Sequence, residues 1–328
     1  MYQVFWRKAK GYEVTMKAIA QNITDHYALY NGDCVELIRD LPDNSIGLSV
    51  FSPPFPGMYA YTDSARDMGN VKSIDEMLDQ FRFFAPELLR VMMPGRRACL
   101  HLTQVPRFKY LDGYIGLRDF RGKTIALMED EGWIYYGETC INKCPVLKAQ
   151  RTKDATLAMK SLCLNTAITR PALADYLLYF MKRGESERLR NGSHEKYPEC
   201  DGPVSGDTWQ KWARPVWDYY RPASSDDPCL HGIRETNVLK TKAAKDQEDE
   251  KHLCPLQLDV IERAVMMWSG PGETVLSPFA GIGSEGYVSI QKGRRFVGFE
   301  LKPSYYRVAI KNLDQAVRDV TANNAELF

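Results

Sequence analysis

Short apolar-rich runs alternate with amphipathic stretches along most of this chain, as expected for strands and helices taken in turn. Ile46–Phe51, bounded by turn residues, predicts a buried parallel strand that delivers Ser52 at its carboxyl end. Ala98–Leu102 predicts another. Tyr27–Tyr30 predicts a short strand ending at Asn31-Gly32-Asp33, followed by a helix over Cys34–Leu41 that Pro42 stops. Ser73, with Glu76 three residues on, reads as the N-cap of an amphipathic helix reaching about Val91 and closed by Pro94-Gly95. A helix over Gly122–Asp130 is expected next. Strands over Trp133–Asn142 and Asp175–Met181 should then pair as an antiparallel edge.

From Gly184 to Glu250 the alternation is lost. The segment is polar, rich in Pro, Ser and Asp, carries Trp209, Trp212 and Trp217 among basic residues, and runs into the charged stretch Lys240–Lys251. So long a loop is uncommon in a compact domain unless it has work of its own, so it reads as an insertion with its tryptophans as a small internal core. Regularity resumes with a helix over Pro255–Trp268, a strand over Thr274–Leu276, a Gly-rich turn, a helix to about Lys292, a strand over Arg295–Phe299 and a helical tail over Tyr305–Val317. The expected class is α/β, with a mostly parallel sheet and an antiparallel edge strand.

Bulk properties narrow the setting. The 328 residues are 44% hydrophobic and 26% charged, ordinary for a soluble globular protein. No run approaches the roughly 18 apolar residues of a membrane helix, and the N-terminus lacks the apolar core of a signal peptide, so no membrane and a cytoplasmic location are expected. Eight cysteines without a short-spaced framework fit reduced thiols. Cys229-Leu230-His231 and His252-Leu253-Cys254 carry zinc-ligand types, yet without paired zinc spacing they read as ordinary side chains, and no metal is expected. A net charge of +1 leaves any nucleic-acid contact to local patches. The stretch from Lys143 to Arg183 is one, with Lys148, Arg151, Lys153, Lys160, Arg170 and Lys182 between them.

Two motifs carry chemistry. Thr274–Glu300 reads as a βαβ unit in which glycines turn the backbone sharply and bring a helix close to a ligand. Glu300 falls about 20 residues after them, where an acid accepts hydrogen bonds from ribose hydroxyls. The turn Phe279-Ala280-Gly281-Ile282-Gly283 reads as lacking the third, close-packing glycine of the dinucleotide fingerprint. Far upstream, Ser52-Pro53-Pro54-Phe55 forms a rigid slot for a flat, amino-bearing base. An exocyclic amine is a poor nucleophile because its lone pair is delocalised into the ring. Acceptors at Ser52 Oγ and the Pro53 carbonyl favour a pyramidal nitrogen and localise that pair. Phe55 can stack on the base, worth roughly 1–3 kcal/mol.

Val275–Ser284, Val-Leu-Ser-Pro-Phe-Ala-Gly-Ile-Gly-Ser, resembles the S-adenosylmethionine loop of the DNA amino-methyltransferases, with Ser277 where that family usually has Asp. Lys251–Leu258 resembles the segment that closes over the cofactor's methionine end, and Asn31-Gly32-Asp33-Cys34 the segment whose Asp lies near its adenine. Ser52-Pro53-Pro54-Phe55 is similar to the catalytic motif, and its place ahead of the cofactor loop matches the family's β-type order. The resemblance implies a Rossmann-like methyltransferase fold. It implies S-adenosylmethionine held by Asp33, His252, Pro255, Ser277, Phe279, Ala280, Gly281, Gly283 and Glu300. Ser52, Pro53, Pro54 and Phe55 would act on a base flipped out of duplex DNA, with Phe51, Tyr59 and Tyr61 as candidates to steady it. A Ser in first place is commoner among N4-cytosine enzymes, which favours that target, with N6-adenine as the alternative. An RNA amino-methyltransferase and an inactive DNA-binding protein on the same fold stay open.

The resemblance also divides the chain. Residues 1–16 form an N-terminal arm, 17–183 the catalytic half, 184–250 an inserted target-recognition region, and 251–328 the cofactor-binding half. Such enzymes work in bacterial or phage cytoplasm. A homodimer and a separate restriction endonuclease are left open as partners.

Overall fold

A computed structural model describes residues 17–55, 66–71, 73–145, 171–185, 204–219, 232–240 and 255–325. The chain enters through a hairpin of β1 (Ala20–Ile23) and β2 (Tyr27–Asn31), then a short α1 (Cys34–Leu37) that tightens into a 3-10 turn instead of continuing to Leu41. Strand β3 (Ile46–Phe51) follows with every residue buried, as its apolar run predicts. The single helix expected over Ser73–Val91 is two, α2 (Ile74–Phe81) and α3 (Ala85–Val91). Ser73 does cap the first, accepting from the Glu76 N–H at 3.1 Å. Pro86 lies in the first turn of the second helix, and without an N–H it cannot continue the hydrogen-bond ladder back to Arg82.

Pro94-Gly95 does not separate helix from strand, because β4 runs from Met92 to Thr103 without a loop. A small hairpin, β5 (Val105–Arg107) and β6 (Gly116–Arg118) around α4 (Lys109–Asp112), precedes α5 (Phe120–Asp130). Then come β7 (Ile134–Ile141), β8 (Asp175–Met181), α6 (Gly206–Trp212) and β9 (Val216–Trp217). The last part holds α7 (Leu258–Trp268), β10 (Thr274–Ser277), α8 (Ser284–Gln291), β11 (Arg295–Glu300) and α9 (Pro303–Ala325).

Among the described residues one nine-stranded sheet organises these elements, in the order β1-β2-β11-β10-β3-β4-β8-β7-β9. From β2 to β4 all neighbours are parallel. The pair β7–β8 is antiparallel as expected, but it is not an edge: β8 also pairs antiparallel with β4, and β9 continues the sheet beyond β7. The antiparallel edge strand is β1.

Alternation along the strands sorts side chains to two faces. Phe51, Leu100, Leu178, Phe180, Leu276 and Phe299 pack with α1, α2, α3 and α5 on one face. Leu48, Val50, Leu177, Tyr179 and Val275 pack with α7 on the other, while Tyr27, Leu29 and Phe296 meet α9 there. Trp217 belongs to that second layer, with Ile141, Leu177 and Val260. Its Nε1 donates to the Trp212 carbonyl at 2.8 Å, and the Arg263 guanidinium of α7 lies 4.8 Å from its ring centroid. Trp217 thus fastens its segment to the main sheet and does not build a separate core, while Trp209 is exposed. Among the described residues no helix is long and apolar enough to cross a membrane.

The glycine-rich loop corrects one reading. Gly281-Ile282-Gly283-Ser284-Glu285-Gly286 does contain the third glycine. A Cβ on Gly286 would lie 2.5 Å from both Leu313 Cδ2 and Phe296 Cδ1, so hydrogen there lets α8 press onto β11 and α9. Gly286→Ala should therefore destabilise the fold by about 1–3 kcal/mol through overpacking. A urea unfolding midpoint indistinguishable from wild type would refute this account of the residue.

Candidate active site

Parallel strands send their carboxyl ends to the same edge of the sheet, where open α/β folds hold their ligands. Both motifs meet there. β10 and β3 are immediate neighbours, with Leu276 opposite Ser49, so the Gly-rich loop and Ser52-Pro53-Pro54-Phe55 emerge side by side. An aromatic cluster joins their bases. Phe51 lies 5.7 Å from Phe279 between centroids and 6.2 Å from Phe84, and Phe84 lies 6.0 Å from Phe279. Pro53 is buried, whereas Ser52, Pro54, Phe55 and Phe279 are half-buried. Phe120 meets Phe55 edge-on at 6.1 Å.

On the β10 side the loop is bound to the tip of β11. The Ala280 N–H donates to the Phe299 carbonyl at 2.8 Å, and the Gly281 N–H to Glu300 Oε2 at 2.7 Å. Lys302 N–H donates to the other Glu300 oxygen at 2.8 Å. Two backbone donors thus fix the carboxylate and leave lone pairs on both oxygens. Gly281 and Gly283 have φ of 53° and 88°, a region other residues enter with strain. Among the described residues a Cβ on Gly281 would meet no heavy atom within 4 Å, so the loop borders open space among them at that point.

Ser277 ends β10 fully buried, and its Oγ has no hydrogen-bond partner among the described residues. The same holds for Gln257 Oε1 just before α7 and Ser304 Oγ in the first turn of α9. Pro255 is half-buried near Gln257 in sequence. Asp33 caps α1 by accepting from the Val35 N–H at 2.9 Å, with Arg66 3.9 Å from its other oxygen. It stays next to Glu300, because the neighbouring Gly32 N–H donates to the Glu300 carbonyl at 3.0 Å. His252, Tyr59 and Tyr61 lie outside the described residues, as do the N-terminal arm and Cys229, His231 and Cys254.

Burial sets the electrostatics. Loss of hydration pushes the Glu300 carboxyl up to about 7, against the pull of its two backbone donors, with the charge of Asp67 adding to the rise. Glu285, in the first turn of α8, is pushed up to about 8, chiefly by burial and further by Glu300. Sequence patterns single out neither Asp67 nor Glu285. At neutral pH Glu285 holds its proton in the folded chain and Glu300 holds one part of the time, whereas in the unfolded chain both have lost it. Their stabilising effect is full below about pH 4.3 and disappears as pH rises through about 7 to 8. The ligand-free protein should therefore melt at a lower temperature at pH 8.5 than at pH 6, and Glu285→Gln should flatten that slope. An unchanged slope in the variant would remove Glu285 as its source.

On the β3 side the structure adds residues that no motif announced. Ser52 Oγ lies 2.9 Å from His101 Nδ1, His101 Nε2 lies 3.3 Å from Asp175 Oδ2, and Lys143 Nζ lies 3.2 Å from the same oxygen. Lys143 is therefore buried and ion-paired, so it does not join the basic surface expected over Lys143–Arg183. Lys182 also turns inward, donating to Asn44 Oδ1 and to the Arg90 and Met92 carbonyls. Arg183 is exposed, and residues 146–170 lie outside the described part.

The fold is that of the Rossmann-like methyltransferases. The TTHA0409 protein of Thermus thermophilus, solved in complex with S-adenosyl-L-methionine, superposes with a TM-score of 0.58 at 20% identity, covering 89% of this chain and 96% of that one. The cytosine-N4-specific PvuII DNA methyltransferase gives 0.56 at 16% identity, covering 90% and 92%. More narrowly, residues 46–311 match the DNA methylase family, and the chain belongs to it. The type II methyltransferase M.Cfr9I of Citrobacter freundii is 36% identical over 317 residues, covering 87% of both proteins. M.BamHI of Bacillus amyloliquefaciens is 25% identical over 286 residues. That match covers 85% of this chain and 55% of the relative, so the chain spans about half its length.

Proposed function

We propose that this protein transfers a methyl group from S-adenosylmethionine to the exocyclic amino group of a base in DNA, the N4 of cytosine, after the base leaves the duplex. The observation that carries the reading is the meeting of Ser52-Pro53-Pro54-Phe55 and the Gly-rich loop on adjacent parallel strands, joined through Phe51 and Phe279.

The residues present fit the cofactor. Glu300 is oriented with lone pairs left for two ribose hydroxyls. The open space at Gly281 admits a ligand against bare backbone. Ser277 Oγ, Gln257 Oε1 and Ser304 Oγ are buried acceptors with no partner among the described residues, and a bound ligand with N–H or O–H groups would relieve the cost of leaving them so. In this reading Ser277 accepts from the methionine ammonium as a neutral hydroxyl, and Asp33 stands toward the adenine. Pro255 and His252 belong to the segment over the methionine end. When bound, S-adenosylmethionine supplies an electrophilic methyl on a sulfonium.

The chain's own work is positioning. Ser52 Oγ and the Pro53 carbonyl accept from the amine, Pro53 and Pro54 keep the turn rigid, and Phe55, held by Phe120, offers a ring to stack on the base. Ser in place of a carboxylate at position 52 favours cytosine. Residues 184–250 would read the target sequence, and a separate restriction endonuclease would be the natural companion of a type II modification enzyme.

Tritiated methyl transfer to duplex DNA and, in parallel, to RNA, each followed by nucleoside analysis, tests the whole reading. Label in N4-methylcytosine is expected. Label in N6-methyladenine would overturn the base, label in RNA alone the substrate, and absence of label the activity.

A further inference from the structure

The contacts Ser52–His101–Asp175–Lys143 draw on four separate places in the chain. Ser52 follows β3, His101 lies near the end of β4, Asp175 opens β8, and Lys143 lies two residues beyond β7. His101, Asp175 and Lys143 are 8%, 5% and 6% exposed. Burying three such groups is costly unless each finds a partner of the right sign, and here each does.

The order of groups favours one placement of the protons. Lys143 faces Asp175 Oδ2 as a cation, so that oxygen acts as a carboxylate acceptor. His101 Nε2, 3.3 Å from it, must then carry the ring hydrogen. In a neutral imidazole this leaves Nδ1 bare, so the Ser52 hydroxyl 2.9 Å away donates to it. Both lone pairs of Ser52 Oγ are then turned to other donors. A free serine hydroxyl could point its hydrogen at the amine it is meant to hold, and this arrangement prevents that.

We propose that His101 is a positioning residue that orients Ser52 as an acceptor and takes, through it, the proton released by the amine, with Asp175 and Lys143 fixing its tautomer. The inference rests on the methyl-transfer reading above. As the amine's lone pair forms the new nitrogen–carbon bond, the carbon–sulfur bond breaks with its electron pair left on sulfur. The nitrogen gives one proton to Ser52 Oγ, whose own proton passes to His101 Nδ1. The positive charge of the sulfonium reappears on the imidazolium, opposite Asp175, and leaves as a proton to solvent when the base departs.

Two measurements decide it. In the ligand-free protein, nitrogen-15 spectra assigned with His101→Gln should show His101 protonated at Nε2 and bare at Nδ1, and Asp175→Asn should disturb that tautomer. A hydrogen on Nδ1 would overturn the proposal, whatever the protein methylates. In kinetics, His101→Gln and Asp175→Asn should lower kcat about 10²-fold or more while KM for DNA and cofactor affinity stay at wild-type values. Added imidazole should restore part of the activity of His101→Ala, a rescue that a packing role would not permit. Wild-type kcat in His101→Gln would overturn the relay. A wild-type protein that methylates no nucleic acid would instead overturn the proposed function, and the tautomer would still decide the hydrogen-bond chain.

Discussion

Ser52→Ala should lower kcat for methyl transfer by about 10²–10⁴-fold and leave S-adenosylmethionine affinity unchanged. The substitution removes one acceptor from the slot and the hydroxyl that faces His101 Nδ1, while the Pro53 carbonyl stays in place. The cofactor side has no part in that loss. Its loop is fastened through Gly281 to Glu300 and through Phe279 to Phe51, and neither contact involves the Ser52 hydroxyl. Single-turnover transfer and a calorimetric titration separate the two effects. Full activity in the variant would sink the assigned site, and a parallel loss of cofactor binding would mark Ser52 as a structural residue.

Glu300→Ala should act in the opposite sense, weakening the cofactor by about 1.5–3 kcal/mol, the range for hydrogen bonds to a charged group. In Kd that is about 10- to 150-fold. The change also strands the N–H groups of Gly281 and Lys302, which now donate to the carboxylate. Because burial pushes Glu300 up to about 7, wild-type affinity should rise as pH passes through that value and the carboxylate forms. The gap between wild type and variant should therefore widen above neutrality. Equal affinities at pH 8 would remove Glu300 from the cofactor site.

Much of this architecture is legible in the sequence because the central strands are buried on both faces. Ile46–Phe51 and Arg295–Phe299 are apolar-rich runs in a nine-stranded sheet, and such runs stand out without any partner in view. β1, mostly exposed along Ala20–Ile23, has no such signature and cannot be seen in this way. The break between α2 and α3 is written in Pro86, but the apolar periodicity runs on across it and outweighs a single residue. Gly286 is legible as the third glycine of Gly281-Ile282-Gly283-Ser284-Glu285-Gly286, but the contact with Phe296 and Leu313 that requires it arises only in three dimensions.

The site divides in the same way. Ser52-Pro53-Pro54-Phe55 and Gly281-Ile282-Gly283 are local and can be read as words. His101 and Asp175 are 74 residues apart and meet only because β8 is inserted beside β4. Lys143, counted with a basic surface from sequence, is drawn inward by Asp175. Charge density along a chain says nothing of which charges will find partners inside.

The pairing of β3 with β10 has a consequence for how the protein comes into being. Ser49 Oγ donates to the Leu276 carbonyl at 3.0 Å across 227 residues of sequence. Parallel contacts between such distant segments form slowly, because a long loop must close before they give anything back. During synthesis β3 emerges with one edge bare, and that edge stays a template for pairing until β10 arrives. A nascent or truncated chain that stops before Thr274 has Ser52-Pro53-Pro54-Phe55 without the strand that lies beside it. Ser52-Pro53-Pro54-Phe55 and the Gly-rich loop therefore come together only after Thr274 has been made.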